Sequence, residues 1–352
     1  MLKFFQKITY PISYLIHHFD DIPRDLTHHT NALLNDRFHQ TNSLLAEIRN
    51  NTNSLLTEFR NQTSLLTEIR NLELLAKNEV FKDHLAALSA GGETEFPEVS
   101  YTLRCCARSL YVDSDRGKSG HDTAICTVAL GDNYRKAVDY CLQSHRIYAE
   151  RAAADYVQLH LSPAHINHHA AWYKIALIYK LLHEGYERVL LIDADALVTN
   201  YAIPIDSLFE PLRAGRQALY LAEDESGVNT GVMLVKRTPA AYRLLDVIWT
   251  HNLGRHITNW EQQALIDLMN SHRVIGDYVL IAPDAKAFNS FPYEREHAFR
   301  VIQENNWTPG DFICHFSGIP SPQLEKMILY YIDEYGLGAG LELHEADLPK
   351  KR

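Results

Sequence analysis

Between Thr30 and Asn78 the chain repeats itself, and this leaves the segment few ways to fold. TNSLLAEIRNN from Thr41, TNSLLTEFRNQ from Thr52 and TSLLTEIRN from Thr63 follow one another, after a weaker copy, TNALLNDRFHQ, from Thr30. The Leu-Leu pairs fall at 33/34, 44/45, 55/56 and 65/66, a period of 11, 11 and 10. Eleven residues make three helical turns, so each pair returns to nearly the same face. Steps of four and three pick out Leu34, Phe38, Thr41, Leu45, Ile48, Thr52, Leu55, Phe59, Gln62, Leu66 and Ile69, eight of the eleven apolar. The stretch has no Gly, no Pro and no period-two alternation, which excludes a strand. One helix cannot bury such a stripe within itself, so the sequence predicts a coiled coil with further copies of this chain. Thr41, Thr52 and Gln62 form a polar layer that would set register. The competing expectation is a long helix folded back on the rest of its own chain, and the number of strands is open.

The rest of the chain has ordinary globular composition. Of 352 residues, 46% are hydrophobic and 22% charged, enough to bury a core. Net charge is −10, and no basic run offers phosphate contacts, which argues against nucleic-acid binding. Cys105, Cys106, Cys126, Cys141 and Cys314 are odd in number and lack a CxxC spacing, so neither a disulfide framework nor a zinc finger is expected. A reducing, cytoplasmic compartment is the expectation. Met1–Phe19 mixes Lys3 and Lys7 with Phe4, Phe5, Ile8, Leu15 and Ile16 and is broken by Pro11. It does not read as a signal peptide, since no small-residue cleavage site follows. The readings left are a segment packing against its own oligomer and an interfacial anchor with peripheral membrane contact.

These features divide the chain into a segment 1–29, a helical repeat 30–90 and a domain 91–352, with the linker at Ser89-Ala90-Gly91-Gly92. In the last part short apolar runs alternate with helical patterns. Strands are expected at Ala124–Leu130, Val189–Ile192, Ala218–Ala222, Val232–Val235, Tyr278–Ala282 and Phe312–Phe316, and helices at Tyr134–Arg151, His169–His183 and Ala240–Trp249. That alternation predicts an α/β layer structure with a mostly parallel sheet and ligands at the carboxyl ends of its strands.

Asp193-Ala194-Asp195 follows the apolar run Val189–Ile192. Residues i and i+2 share a face if the extended backbone continues, and two carboxylates are hard ligands for Mg²⁺ or Mn²⁺. The motif alone is weak: 22 Asp in this chain give about one or two Asp-x-Asp by chance. A second one, Asp113-Ser114-Asp115, reads as a solvated loop. The context of the first is more specific. Gly227-Val228-Asn229-Thr230-Gly231 precedes a strand, Trp260-Glu261-Gln262-Gln263 follows, and Cys314-His315-Phe316-Ser317-Gly318 closes a late strand.

In this order and spacing the segments resemble the GT-A fold glycosyltransferases, above all the family of fungal α-mannosyl- and galactosyltransferases and plant xyloglucan xylosyltransferases. The resemblance covers about Thr123 to Pro320 and excludes the repeat. It implies a Rossmann-like GT-A domain that moves a sugar from a nucleotide-sugar donor, UDP-linked rather than GDP-linked, to a glycan or glycolipid acceptor, with retention of configuration. It implies metal ligation by Asp193, Asp195 and His315, with Mn²⁺ or Mg²⁺. Donor contacts would come from Gly131, Asp132 and Tyr134 after the first strand, from Lys174 in Trp172-Tyr173-Lys174, and from Asp193, Asn229, Gly231 and Gly318. Lys174 reads equally as a solvated helical charge. Gln262 would steady positive charge at the anomeric carbon, and Glu261 would orient sugar or acceptor. One departure stands out: the family often has a Lys a few residues after His-x-x-Gly, whereas here no Lys occurs until Lys326. Two other readings compete, a stalked scaffold that has lost turnover and a nucleotidyltransferase. The latter would want a Gly-rich basic signature that Ala129-Leu130-Gly131-Asp132-Asn133-Tyr134 lacks.

Overall fold

The computed structural model describes residues 36–48, 50–52, 54, 58, 79–91, 95–114, 120–161, 169–225, 227–251, 260–293 and 305–343. The segment 1–29, much of the repeat, Gly92 and Asp115 lie outside them. The chain forms two compact units, Met1–Glu73 and Leu74–Arg352.

In the first unit the described residues 36–48, 50–52, 54 and 58 are all helical and all exposed. Thr41 and Thr52, expected in a polar layer, donate their hydroxyls to the carbonyls of Arg37 and Ile48 at 2.8 and 2.7 Å, the back-bond available to Thr one turn along a helix.

The second unit begins earlier than the Gly91-Gly92 linker suggested. The helix 79–90 packs on the α/β core: Leu88 and His84 are buried, the Leu88 carbonyl accepts from Tyr278 Oη at 2.9 Å, and His84 Nε2 lies 3.0 Å from the buried Asp246 carboxylate. Gly91 marks a turn within this unit, not its border.

The sheet contains β1 (Tyr111–Ser114), β2 (Thr123–Val128), β3 (Asp155–Leu161), β4 (Arg188–Ile192), β6 (Leu219–Asp224), β7 (Gly227–Lys236) and β8 (Val279–Ile281), in the order β1-β3-β2-β4-β7-β6-β8. The pairings set β3, β2, β4, β6 and β8 in one direction and β1 and β7 against them. The α/β, mostly parallel sheet expected from the alternating pattern is therefore present. A separate pair joins β5 (Ala196–Val198) to β9 (Ile313–His315).

The strand residues sort by parity, as a pleated strand requires. Ala124, Cys126, Val189, Leu191, Met233 and Val235 enter one core. Ile125, Leu190, Ile192, Val232 and Leu234 enter the other. The first core is covered by α1 (Tyr101–Ser109), α4 (Tyr173–His183), α6 (Pro239–His251) and α7 (Trp260–Ser271). The second is covered by α3 (Asp139–Arg151), which follows the short α2 (Asp132–Ala137), and by α5 (Ile205–Arg213). A third, smaller cluster gathers Phe316, Trp307 and the inner face of α8 (Ser321–Glu334). Asp113 sits exposed on β1 at the sheet edge rather than in a loop.

Candidate active site

Two strand pairings bring the acidic motif and the late histidine together. β4 and β7 pair antiparallel with Ile192 opposite Val232, so Asp193 follows beside Gly231, whose carbonyl accepts the Asp193 N–H at 2.7 Å. The chain then turns, and the Ala196 N–H donates to the Asp193 carbonyl at 3.0 Å. Asp193 and Asp195 are thus joined by a turn between β4 and β5, not by two steps of one extended strand. The geometry that the alternation argument assumed does not persist past Ile192. β5 pairs with β9, Ala196 opposite His315, and the Phe316 N–H donates to the Asp195 carbonyl at 2.9 Å.

As a result, ligand atoms of Asp193, Asp195 and His315 all lie within 4.8 Å of one another. His315 Nε2 is 3.4 Å from Asp195 Oδ1 and 4.0 Å from Asp193 Oδ2. That Nε2 is buried and has no hydrogen-bond partner among the described residues. Two carboxylates and an imidazole nitrogen form a donor set that could hold a divalent metal ion.

Lys174 is not a solvated charge. It is buried in the first turn of α4, where the helix dipole opposes a cation. Its Nζ offsets that cost through Asp193 at 2.7 Å and Glu261 at 2.9 Å. Burial opposes the charged lysine, but the two carboxylates outweigh it and raise the ammonium's pKa. Asp193 is raised to about 6, chiefly by burial, with Lys174 acting against the rise. For Asp195 burial is also the largest influence and acts upward. His315 close beside it, with the charge of Lys174, outweighs burial and holds the carboxyl below its usual range.

Facing these groups, Thr230 ties β7 to the start of α7. Its hydroxyl donates to Glu261 Oε1 at 3.0 Å and its N–H to Gln262 Oε1 at 3.3 Å. Glu261 is 3% exposed, and its Oε2 has no hydrogen-bond partner among the described residues. Gly231 has a steric reason to be glycine: a Cβ there would come within 2.8 Å of His315 Nδ1 and 2.9 Å of Asn229 Oδ1.

A cleft of about 530 Å³ is lined by Tyr134, Lys174, Asp193, Asp195, Asn229, Gly231, Glu261, Gln262, His315 and Gly318. Tyr134 is half-buried, its hydroxyl pKa pushed upward by burial and then by the charges of Asp195 and Asp193. Gly318, at φ 75, sits in a turn on the cleft wall. Gly131 and Asp132 are exposed and do not line it, and Asp132 faces a separate surface depression with Arg135 and Asp139. The expected Gly131-Asp132 donor contact is not assembled here.

Sequence reasoning missed several residues. His169 stacks on Trp260 at the cleft with ring centroids 3.6 Å apart. Thr230 and Asp224 line the same cleft, and Asn289 bonds His315 from behind. Only Thr230, inside the Asn-Thr-Gly run, carried a usable signal. The others come from loops and strand ends with no fixed spacing to the motifs.

Residues 210–322 match the galactosyl transferase GMA12/MNN10 family, in keeping with the resemblance read from the motifs. This segment holds Asn229, Gly231, Glu261, Gln262, Asn289 and His315, whereas Asp193, Asp195 and Lys174 precede it. A probable alpha-1,2-galactosyltransferase, gmh2, of Schizosaccharomyces pombe is 24% identical over 42% of this chain and 51% of the yeast protein. The chain thus spans about half the length of that relative. Among solved structures, a glycosyltransferase involved in the glycosylation of the major capsid of PBCV-1 aligns with a TM-score of 0.48 and 13% identity, over 58% of this chain and 98% of that one. The glycosyltransferase GlyE of Streptococcus pneumoniae TIGR4 aligns at 0.41 and 14%, over 60% and 64%. Mouse xyloside xylosyltransferase 1 aligns at 0.36 and 12%, over 56% and 98%.

Proposed function

We propose that this chain is a metal-dependent, retaining glycosyltransferase that takes its sugar from a UDP-linked donor, acts on a glycan or glycolipid acceptor, and works as an oligomer held by the repeat. The observation that carries the reading is the convergence of Asp193, Asp195 and His315, from two independent strand pairings, on a cleft walled by Asn229, Glu261 and Gln262.

Asp193, Asp195 and His315 would hold a divalent cation, which supplies charge neutralisation for the departing diphosphate. Lys174, already between Asp193 and Glu261, adds positive charge beside the leaving group. Glu261 Oε2 is an orphaned buried acceptor suited to a hydroxyl of the donor sugar. Gln262 is held against the Thr230 amide, where its carboxamide oxygen can steady positive charge at the anomeric carbon. The bond from that carbon to the phosphate oxygen breaks as the acceptor oxygen attacks from the same face. The acceptor's proton passes to the departing phosphate.

The repeat supports an oligomer because its apolar residues Phe38, Leu44, Leu45 and Ile48 are all exposed in the chain. Association would hold several sites near one polymeric acceptor. The five cysteines are free thiols. No described helix is long and apolar enough to cross a membrane.

The test is thermal melting with a panel of UDP- and GDP-linked sugars, since a ligand of the native state raises its apparent stability. A UDP-sugar should raise the melting temperature with Mn²⁺ and not in excess chelator. A panel that shifts nothing would reject the donor site.

A further inference from the structure

Behind His315 runs a chain of side-chain amides that starts at Asn289, off the cleft, and ends at Asn229 and Asp224 on its wall. His315 Nδ1 lies 2.9 Å from Asn289 Oδ1. Asn289 Nδ2 donates to Asn229 Oδ1 at 3.0 Å. Asn229 Nδ2 donates to Asp224 Oδ2 at 2.7 Å. All four residues are buried, Asn289 completely.

The direction of this chain is fixed by a group that cannot be turned round. The backbone N–H of Gly231 points at Asn229 at 2.8 Å, and an N–H only donates, so the atom it meets is the amide oxygen. Asn229 therefore turns its NH₂ to Asp224, whose carboxylate accepts. Asn289 must present its NH₂ to the Asn229 oxygen and its own oxygen to His315. An oxygen there requires a proton on Nδ1. The neutral imidazole then has its lone pair on Nε2, the buried, unbonded nitrogen 3.4 Å from Asp195 Oδ1.

We propose that Asn289 is a positioning residue that holds His315 as the Nδ1–H tautomer and aims Nε2 at the cation, with the Gly231 N–H and the Asp224 carboxylate together setting the direction of the chain through Asn229. The inference rests on the metal site of the proposed function. Metal-bound histidines ordinarily donate their second N–H to such a partner, and its loss typically costs about 10–100-fold in metal affinity. Local structure delivers Asn289 to this place. It follows the short helical turn Ala285–Ala287, with its N–H on the Ala285 carbonyl at 2.8 Å. The next residue, Ser290, lies alongside β9 and accepts the His315 N–H at 2.8 Å. Asn289 is not among the residues lining the cleft, so it acts through His315 and not on the substrate. Gly231 completes the arrangement by leaving its Cβ position open to the ring.

The test uses the full chain and two readouts that do not depend on turnover. The first is the Mn²⁺ dissociation constant by calorimetry. The second is the His315 tautomer by ¹⁵N NMR, with its signal identified by its loss in His315→Gln. Asn289→Ala should weaken Mn²⁺ binding about 10–100-fold and abolish the pure Nδ1–H signature. Asn289→Asp, which keeps an acceptor oxygen for Nδ1–H, should stay within a few-fold of wild type on the same scale. If Asn289→Ala does not fold, the wild-type tautomer and Asn289→Asp decide. A wild-type His315 protonated at Nε2, an Asn289→Ala protein with unchanged Mn²⁺ affinity, or an Asn289→Asp protein that loses Mn²⁺ would overturn the proposal. A wild-type protein that shows the Nδ1–H tautomer yet takes up no Mn²⁺ would instead reject the metal site while leaving the tautomer argument standing.

Discussion

Two helical regions of this chain are both rich in apolar residues and end in opposite conditions. In α4, nine of eleven residues are buried, including the cationic Lys174. In the repeat, the described residues 36–48, 50–52, 54 and 58 are all exposed, with Phe38, Leu44, Leu45 and Ile48 standing at 46–58%. The difference lies in where each apolar face finds its partner. The apolar residues of α4 are packed by the sheet and by neighbouring helices of the same chain. The described residues of the repeat, 36–48, 50–52, 54 and 58, show no buried side chain, and burying each apolar one would be worth about 1.5–3 kcal/mol, which is the ground for the proposal that further copies of the chain cover them.

The separation can be broken from either side. The largest effect is expected at the acidic turn: Asp193→Ala or Asp195→Ala should lower transfer by about 10³-fold, the scale of several kcal/mol of charge stabilisation, with oligomeric state and melting curve unchanged. Loss of the oligomer in these variants would show that the two regions are coupled. Next, Gly231→Ala should press its methyl group against His315 and Asn229. Mn²⁺ affinity should fall about 10–100-fold, with a stability loss of about 1–3 kcal/mol, read by calorimetry and denaturant titration.

On the other side, Leu45→Asp with Ile48→Asp should dissociate the oligomer in light scattering. Turnover per site on a soluble acceptor should change less than about twofold, because avidity acts only on multivalent acceptors. The smallest effect concerns pH. Burial pushes the His145 imidazolium down to about 4, below its ordinary 6.5. Below pH 6.5 the unfolded chain therefore binds more protons than the fold, and stability falls as pH drops toward 4. Between pH 7 and 5 this amounts to about 2 kcal/mol, and His145→Gln should flatten the dependence in thermal melts. An equal dependence in that variant would remove His145 as its cause.

The order of strands and helices from Thr123 onward was legible because apolar runs such as Val189–Ile192 and Val232–Val235 are bounded by polar turns. β3 escaped notice because Asp155-Tyr-Val-Gln-Leu-His-Leu reads as polar, although Val157 and Leu159 alternate into the core. β5 has three residues, too few for any period. The unit boundary was misplaced because Gly91-Gly92 looks like a linker, while the packing of His84 on Asp246 joins residues 162 positions apart. Asn289 stayed hidden because it meets His315 from a loop 26 residues away, with no fixed spacing to the motif. Lys174 could not be assigned from sequence, because burial decides between a solvated charge and a site cation.

The central claim is that Asp193, Asp195 and His315 make this cleft a metal-dependent sugar-transfer site. The most direct measurement is release of nucleoside diphosphate from a UDP-sugar, with acceptor or water, by the full chain stripped of metal and then titrated with Mn²⁺. Release should be absent after stripping, return with Mn²⁺ at least as well as with Mg²⁺, and stay absent in Asp193→Ala. Full release in excess chelator, or undiminished release by a folded Asp193→Ala protein, would contradict it.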